Sequence, residues 1–247
     1  MKEILLALAL SLSLTACDTA SDASAKPVNV PQPADWKAVL IAGDDHEPAF
    51  DNAVDAMAET LVRFGVARPD ISILKATARD NHAATQANIG RAFADLRPAP
   101  TDGCFVFVTS HGGEGRGLYL ARGNDFISPN ALAGMLSGAC GNRPTVVVAS
   151  GCFSGTFAQG RVMPAANRTI LTAARADRPS FGCNAGLRYT VFDQCILDSM
   201  ERGIRWLDLM GRTRQCVSAR ERTMGELPSS PQLSVGASAA GLTVFGQ

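Results

Sequence analysis

The sequence predicts an α/β fold: a mainly parallel sheet of about six strands with helices on both faces, in one domain over residues 35–247. Short apolar, β-branched and aromatic runs alternate with stretches whose apolar residues recur at helical spacing, the order that builds parallel sheets. With 247 residues, 46% apolar and 19% charged, the chain can bury one substantial core. No internal repeat suggests a solenoid.

Trp36 to Ala42 is a continuous apolar strand that stops at Gly43-Asp44-Asp45. From Phe50 to Phe64, Ala53, Val54, Met57, Ala58, Leu61 and Val62 recur as one helical face, and Gly65 closes it. Ile71 to Leu74 reads as a strand and Thr85 to Leu96 as an amphipathic helix halted by Pro98. Cys104 to Thr109 is a strand, and Leu118 to Leu120 a small flanking one. Ser128-Pro129 opens a helix through Leu136, with Ser as cap and Pro in the first turn. Thr145 to Ala149 and Thr169 to Ala173 are further strands. Thr190 to Met200 and Ile204 to about Met224 are helices, and Leu242 to Phe245 is a candidate late strand in a Ser-, Pro- and Gly-rich tail.

The first residues predict export. Lys2 precedes an apolar run, Ile4 to Leu14, too short for the ~20 residues that span a bilayer. Leu14-Thr15-Ala16-Cys17 resembles the lipobox of bacterial lipoproteins, which implies a signal peptide over residues 1–16, cleavage before Cys17 and lipidation of that thiol. An ordinary secretory signal cut near Ala16 is the alternative. Asp18 resembles an inner-membrane retention signal, a rule that does not hold in every lineage. Residues 18–34 are small, polar and Pro-bearing, so residues 17–34 read as a lipidated Cys and a flexible tether. The expected location is a bacterial cell envelope, lipid-anchored and facing the periplasm, with the choice of membrane open.

Lys+Arg and Asp+Glu both number 23, so no net charge steers the chain to nucleic acid. Outside the cytoplasm some of the six cysteines after Cys17 can pair. Cys104 and Cys195 sit in apolar runs and read as buried small hydrophobes, whereas Cys140 and Cys183 lie in Gly-containing loops and are candidates for a bridge. Three His and no C-x-x-C argue against a zinc site, and no metal or cofactor is expected. Oligomeric state is left open.

The chemistry gathers at two strand ends. Val106-Phe107-Val108-Thr109-Ser110-His111-Gly112-Gly113 and Val146-Val147-Val148-Ala149-Ser150-Gly151-Cys152-Phe153-Ser154-Gly155 both stop in small residues, one with a His and the other with a Cys. As neighbouring parallel strands they present thiol and imidazole at one carboxyl edge, where open α/β sheets bind ligands. Such a pair is a nucleophile and its base. The glycine loop after His111 lacks the Gly-Lys-[Ser/Thr] of a phosphate cradle. His-Gly-Gly also resembles an esterase oxyanion segment, but no serine has glycines at both −2 and +2, which disfavours a serine hydrolase.

Ser110-His111-Gly112, Ala149 to Gly155 and the block Thr172-Ala173-Ala174-Arg175-Ala176-Asp177-Arg178-Pro179-Ser180-Phe181-Gly182-Cys183 together resemble the bacterial branch of the legumain (C13) cysteine peptidases, of the caspase-like superfamily. The opening Val39 to Gly43 and Phe50 to Ala53 fit the same pattern, and the likeness covers roughly residues 36–200. It implies a caspase-like sheet, with Cys152 as nucleophile and His111 as general acid/base. The backbone N–H groups of Gly112 and Cys152 would form the oxyanion hole, and the substrate is a peptide or protein. The same family contains transamidases.

Departures from the pattern matter equally. An ungapped match places Ala49 where legumains carry an Asn that orients the His, and Asp51-Asn52 where they carry Arg-His. Ser150 stands where they carry a Glu, two residues before the nucleophile. Asp51, Ser150 and Ser180 are therefore candidate substrate-binding residues of altered specificity. Asp51 either accepts a basic or amide-bearing side chain before the cut or caps the helix that starts there. A lipoprotein that keeps the fold as a binding or assembly module is the reading from another class.

Overall fold

The computed structural model describes residues 30–183 and 186–246. The expected signal peptide, Cys17 and most of the tether lie outside the described residues. β1 (Trp36–Ala42) leads through α1 (Pro48–Arg63), β2 (Ile71–Lys75) and α2 (Gln86–Asp95) to β3 (Gly103–Thr109). A small antiparallel insertion follows, β4 (Gly112–Gly113), β5 (Gly117–Leu120) and β6 (Asp125–Ile127). Then come α3 (Pro129–Ala139), β7 (Thr145–Ser150), β8 (Arg168–Thr172), α4 (Val191–Ser199), α5 (Trp206–Met224) and β9 (Gln232–Val235).

The main sheet has six strands in the order β2-β1-β3-β7-β8-β9. The first five run parallel and β9 closes the edge antiparallel. The expected strand pair is at its centre: β3 and β7 are neighbours, with Thr109 opposite Ser150. Period-two alternation sends side chains to two cores. Phe105, Phe107, Val146 and Val148 pack with α1, α4 and α5, whereas Val106, Val108, Val147 and Ala149 pack with α2 and α3. Helices therefore cover both faces, as the alternation of elements predicts.

Helix starts follow local chemistry. The side chains of Thr85, Ser128 and Thr190 accept from Asn88 N, Ala131 N and Asp193 N, capping α2, α3 and α4. α1 begins at Pro48 rather than Phe50, because Pro fits a first turn that has no side-chain cap. The late strand also differs from expectation. The sixth strand of the main sheet is Gln232–Val235, and Leu242, Val244 and Phe245 are buried without forming a strand. Phe245 instead packs edge-on to Trp36 and Trp206 at 5.1 and 5.7 Å between ring centroids.

Cysteine pairing corrects the sequence reading. Cys104 bonds Cys140, and Cys195 bonds Cys216, so Cys104 and Cys195 are bridge partners and Cys140 does not pair with Cys183. The bridges span 36 and 21 residues. In the chain-entropy picture, loops of that size each stabilise the fold by about 3–4 kcal/mol. One ties the start of β3 to the end of α3, and the other ties α4 to α5. Both therefore brace elements that reach the carboxyl edge.

Candidate active site

His111 follows β3 by two residues and Cys152 follows β7 by two. Parallel register thus delivers both to the same edge of the sheet. Gly112 is the contact between them. A methyl on its Cα would coincide with the Cys152 carbonyl oxygen and stand 2.7 and 2.9 Å from that residue's C and N, so only glycine fits. The His loop is fixed from its other side: Tyr119 N–H donates to His111 O at 2.8 Å, and the Ser110 hydroxyl donates to Tyr119 O at 2.7 Å. Both His111 and Cys152 are half-buried.

The turn that follows β7 is strained. Phe153, directly after Cys152, sits at φ 58° in the left-handed region, an unfavourable setting for a bulky residue. The Thr172–Cys183 block holds it there. Phe153 N–H donates to Arg178 O at 2.8 Å, and Ala174 N–H donates to Ser154 Oγ at 3.2 Å. Gly155 lies so close to that block that a methyl would stand 2.7 Å from Arg175 C. The Cys152 thiol donates to Ser180 O at 3.5 Å, while Ser180 N–H donates to Sγ at 3.3 Å. Ser180 Oγ stands 3.9 Å from the same sulfur.

Ala49 is buried in the first turn of α1, and its methyl side chain offers no hydrogen bond. The Phe50 ring meets His111 edge-on at 5.3 Å and 80°. Cys183 Sγ stands 4.0 Å from His111 Nδ1. A ring edge and a sulfur thus occupy the surroundings where the family pattern implies an Asn. Sequence reading missed both neighbours, since neither residue type is diagnostic of a His partner.

The candidate substrate residues divide. Ser180 touches the thiol. Asp51 lies in the first turn of α1, which starts three residues earlier, so it does not cap that helix. Its Oδ2 instead accepts from the Thr77 hydroxyl at 2.6 Å, and its buried Oδ1 has no hydrogen-bond partner. Ser150 is only 1% exposed, at the end of β7. Its register partner Thr109 donates to Asp193, a residue the sequence reading passed over. The signal was a carboxylate inside the apolar start of a helix, Val191-Phe192-Asp193.

Beyond Ser180 a surface hollow of about 480 Å³ is lined by Pro179, Phe181, Leu227 and Pro228, with Arg175 and Asp177 at its side. The Arg175 guanidinium holds the Asp177 carboxyl down at about 2. Among the described residues, Asp44, Asp45 and His46 are grouped closely enough to ligate a metal, but His46 Nδ1 instead lies 2.7 Å from Asp44 Oδ1.

Comparison with known proteins bears on the family and the fold. The Peptidase C13 family matches residues 77–202, just over half of the chain. No curated protein matches. Among solved structures, a crystal structure of caspase-1 from Spodoptera frugiperda superposes with a TM-score of 0.62 at 16% identity, over 90% of this chain and 97% of that one. That likeness is one of fold, and it bears out the caspase-like sheet.

Proposed function

The chain belongs to the peptidase C13 family and is a cysteine peptidase of caspase-like fold, and from that premise we propose that it cleaves within peptide chains by attack of Cys152 Sγ on the scissile carbonyl. The observation that carries this reading is the meeting of the two strand ends, Gly112 against the backbone of Cys152. The thiol proton passes to His111 as the C–S bond forms. The carbonyl oxygen gathers negative charge against the backbone N–H groups of Gly112 and Cys152. His111 returns the proton to the amine as the C–N bond breaks, leaving a thioacyl enzyme. Water, activated by His111, then releases the carboxylic acid and restores the thiol. An amine in place of water gives transamidation.

Specificity follows from the departures. Asp51 adjoins Phe50, whose ring touches His111, and carries a buried carboxylate oxygen without a partner. A cationic side chain at the residue before the cut supplies that partner, and Ser180 borders the same thiol. A fluorogenic panel with Asn, Asp, Arg and Lys at that residue is expected to favour Arg or Lys at least tenfold, with Asp51→Asn erasing the preference. Equal rates on Asn and Arg would defeat the assignment, and loss of all turnover in Cys152→Ala ties whatever cleavage is seen to this site.

The lipid anchor at Cys17 belongs to the same reading. Two disulfides suit an oxidising compartment such as the periplasm. The described chain enters at the amino edge of the sheet: Ala34 N–H donates to Thr101 O, and Trp36 pairs with Gly103 at the start of β3. A membrane tether there leaves the dyad facing away from the bilayer. Mass spectrometry of the mature N-terminal peptide is expected to find a diacylglyceryl group on Cys17; an unmodified peptide cut near Ala16 would favour free secretion.

A further inference from the structure

We infer that Asp193 is a positioning residue for the dyad, a buried carboxylate at the start of α4 that holds the end of β3, from which His111 projects, in place beside the end of β7, from which Cys152 projects. The inference rests on the peptidase reading above. The pleat sets it up. Phe105, Phe107 and Thr109 alternate onto one face of β3, and Val146, Val148 and Ser150 alternate onto the same face of β7. The apolar members meet the core of α1, α4 and α5. The last member of each series is a hydroxyl, and the two are register partners. Each is also two residues upstream of a dyad member.

Asp193 binds the first of these hydroxyls. Thr109 donates to its Oδ2 at 2.6 Å, and the Ser150 hydroxyl also favours its ionised form. Its own N–H donates to the Thr190 cap at 3.1 Å, so the carboxylate is locked at the helix start. The helix dipole favours negative charge there. The disulfide two residues on, at Cys195, anchors the same helix to α5. Asp193 is wholly buried and Oδ1 has no hydrogen-bond partner. Burial pushes its carboxyl up to about 6 despite the hydroxyls. A buried carboxylate without a cationic partner is a poor device for stability alone, since burial penalises its charge. Its retention beneath both strand ends is accounted for by alignment.

The test compares Asp193→Asn, which keeps an acceptor for Thr109, with Asp193→Leu, which fills the space without one. Three quantities are read: melting temperature, the rate of Cys152 alkylation by iodoacetamide with and without His111→Ala, and kcat against KM on a fluorogenic peptide. Asp193→Leu is expected to melt no lower than wild type, yet to lose tenfold or more in both alkylation rate and kcat with KM unchanged. Asp193→Asn is expected to recover most of that loss. Thr109→Val, which preserves shape, should show the same deficit and add little to Asp193→Leu. Wild-type alkylation and kcat in Asp193→Leu would overturn the inference. If Asp193→Leu fails to fold, Thr109→Val decides alone: full activity overturns it and a tenfold loss in kcat at unchanged melting temperature sustains it. Wild-type alkylation that is slow and indifferent to His111→Ala would instead fault the peptidase reading and remove the inference with it.

Discussion

Cys152→Ala is expected to lower peptidase turnover by about a hundred-thousand-fold, to background, and His111→Ala by about a thousand-fold. The two losses differ because the residues do different work. Without Sγ no thioacyl enzyme forms, and only substrate binding and the oxyanion donors remain. Without the imidazole the nucleophile survives, still held by the Ser180 N–H, but the leaving amine must depart without a positioned acid. A thousand-fold is about 4 kcal/mol of transition-state stabilisation, within the range that general acid–base catalysis supplies. The double variant should be no slower than Cys152→Ala, because the two act as one unit. Melting temperatures are expected to move little, since both side chains are half-buried at a sheet edge. Single-site kinetics on a fluorogenic peptide measure all three variants. Undiminished turnover in Cys152→Ala would exclude this site, and uniformly slow alkylation of wild-type thiols would favour a binding module built on the same fold.

How far the sequence carries can be seen in particular residues. Strands β1, β3, β7 and β8 were legible because buried parallel strands are written as short apolar runs, and the pairing of β3 with β7 brought His111 and Cys152 to one edge. β9 was not legible. Its four residues are mostly half-exposed and follow Pro228-Ser229-Ser230-Pro231, so neither alternation nor apolarity marks an edge strand. Leu242 to Phe245 misled for the opposite reason: its apolar side chains plug the core beside Trp36 and Trp206 without entering a ladder. Cys104 and Cys195 look like hydrophobes because a bridged sulfur is as buried as an aliphatic group. Their partners come from α3's end and α5, a proximity that only the fold creates. Asp193 escaped for a related reason. The hydroxyl it accepts from, that of Thr109, is 84 residues away in sequence, and nothing local announces that the two meet.

The tightest constraint at the site is steric, and Gly112→Ala tests it. The substituted methyl would fall on the Cys152 carbonyl, with two further backbone atoms within 3 Å, so no rotamer change can relieve the contact. One of the two segments must move. The His loop is pinned by the Tyr119 N–H and Ser110 hydroxyl bonds, and the Cys turn by Phe153 N–H on Arg178 O. Either displacement separates imidazole, thiol and oxyanion donors by a fraction of an ångström to an ångström. Misplacement on that scale costs about a hundred-fold in rate, and overpacking costs about 1–3 kcal/mol of stability. Gly112→Ala is therefore expected to lose at least a hundred-fold in kcat and several degrees in melting temperature. Gly90→Ala is the matched control: the site lies in the interior of α2 with open space around it, and Ala there should raise stability by about 1 kcal/mol. Its kcat should stay at the wild-type value. Thermal denaturation and single-turnover kinetics on both variants decide the matter. A Gly112→Ala enzyme with wild-type kcat would mean that the backbone contact between the two strand ends is not what holds the dyad in place.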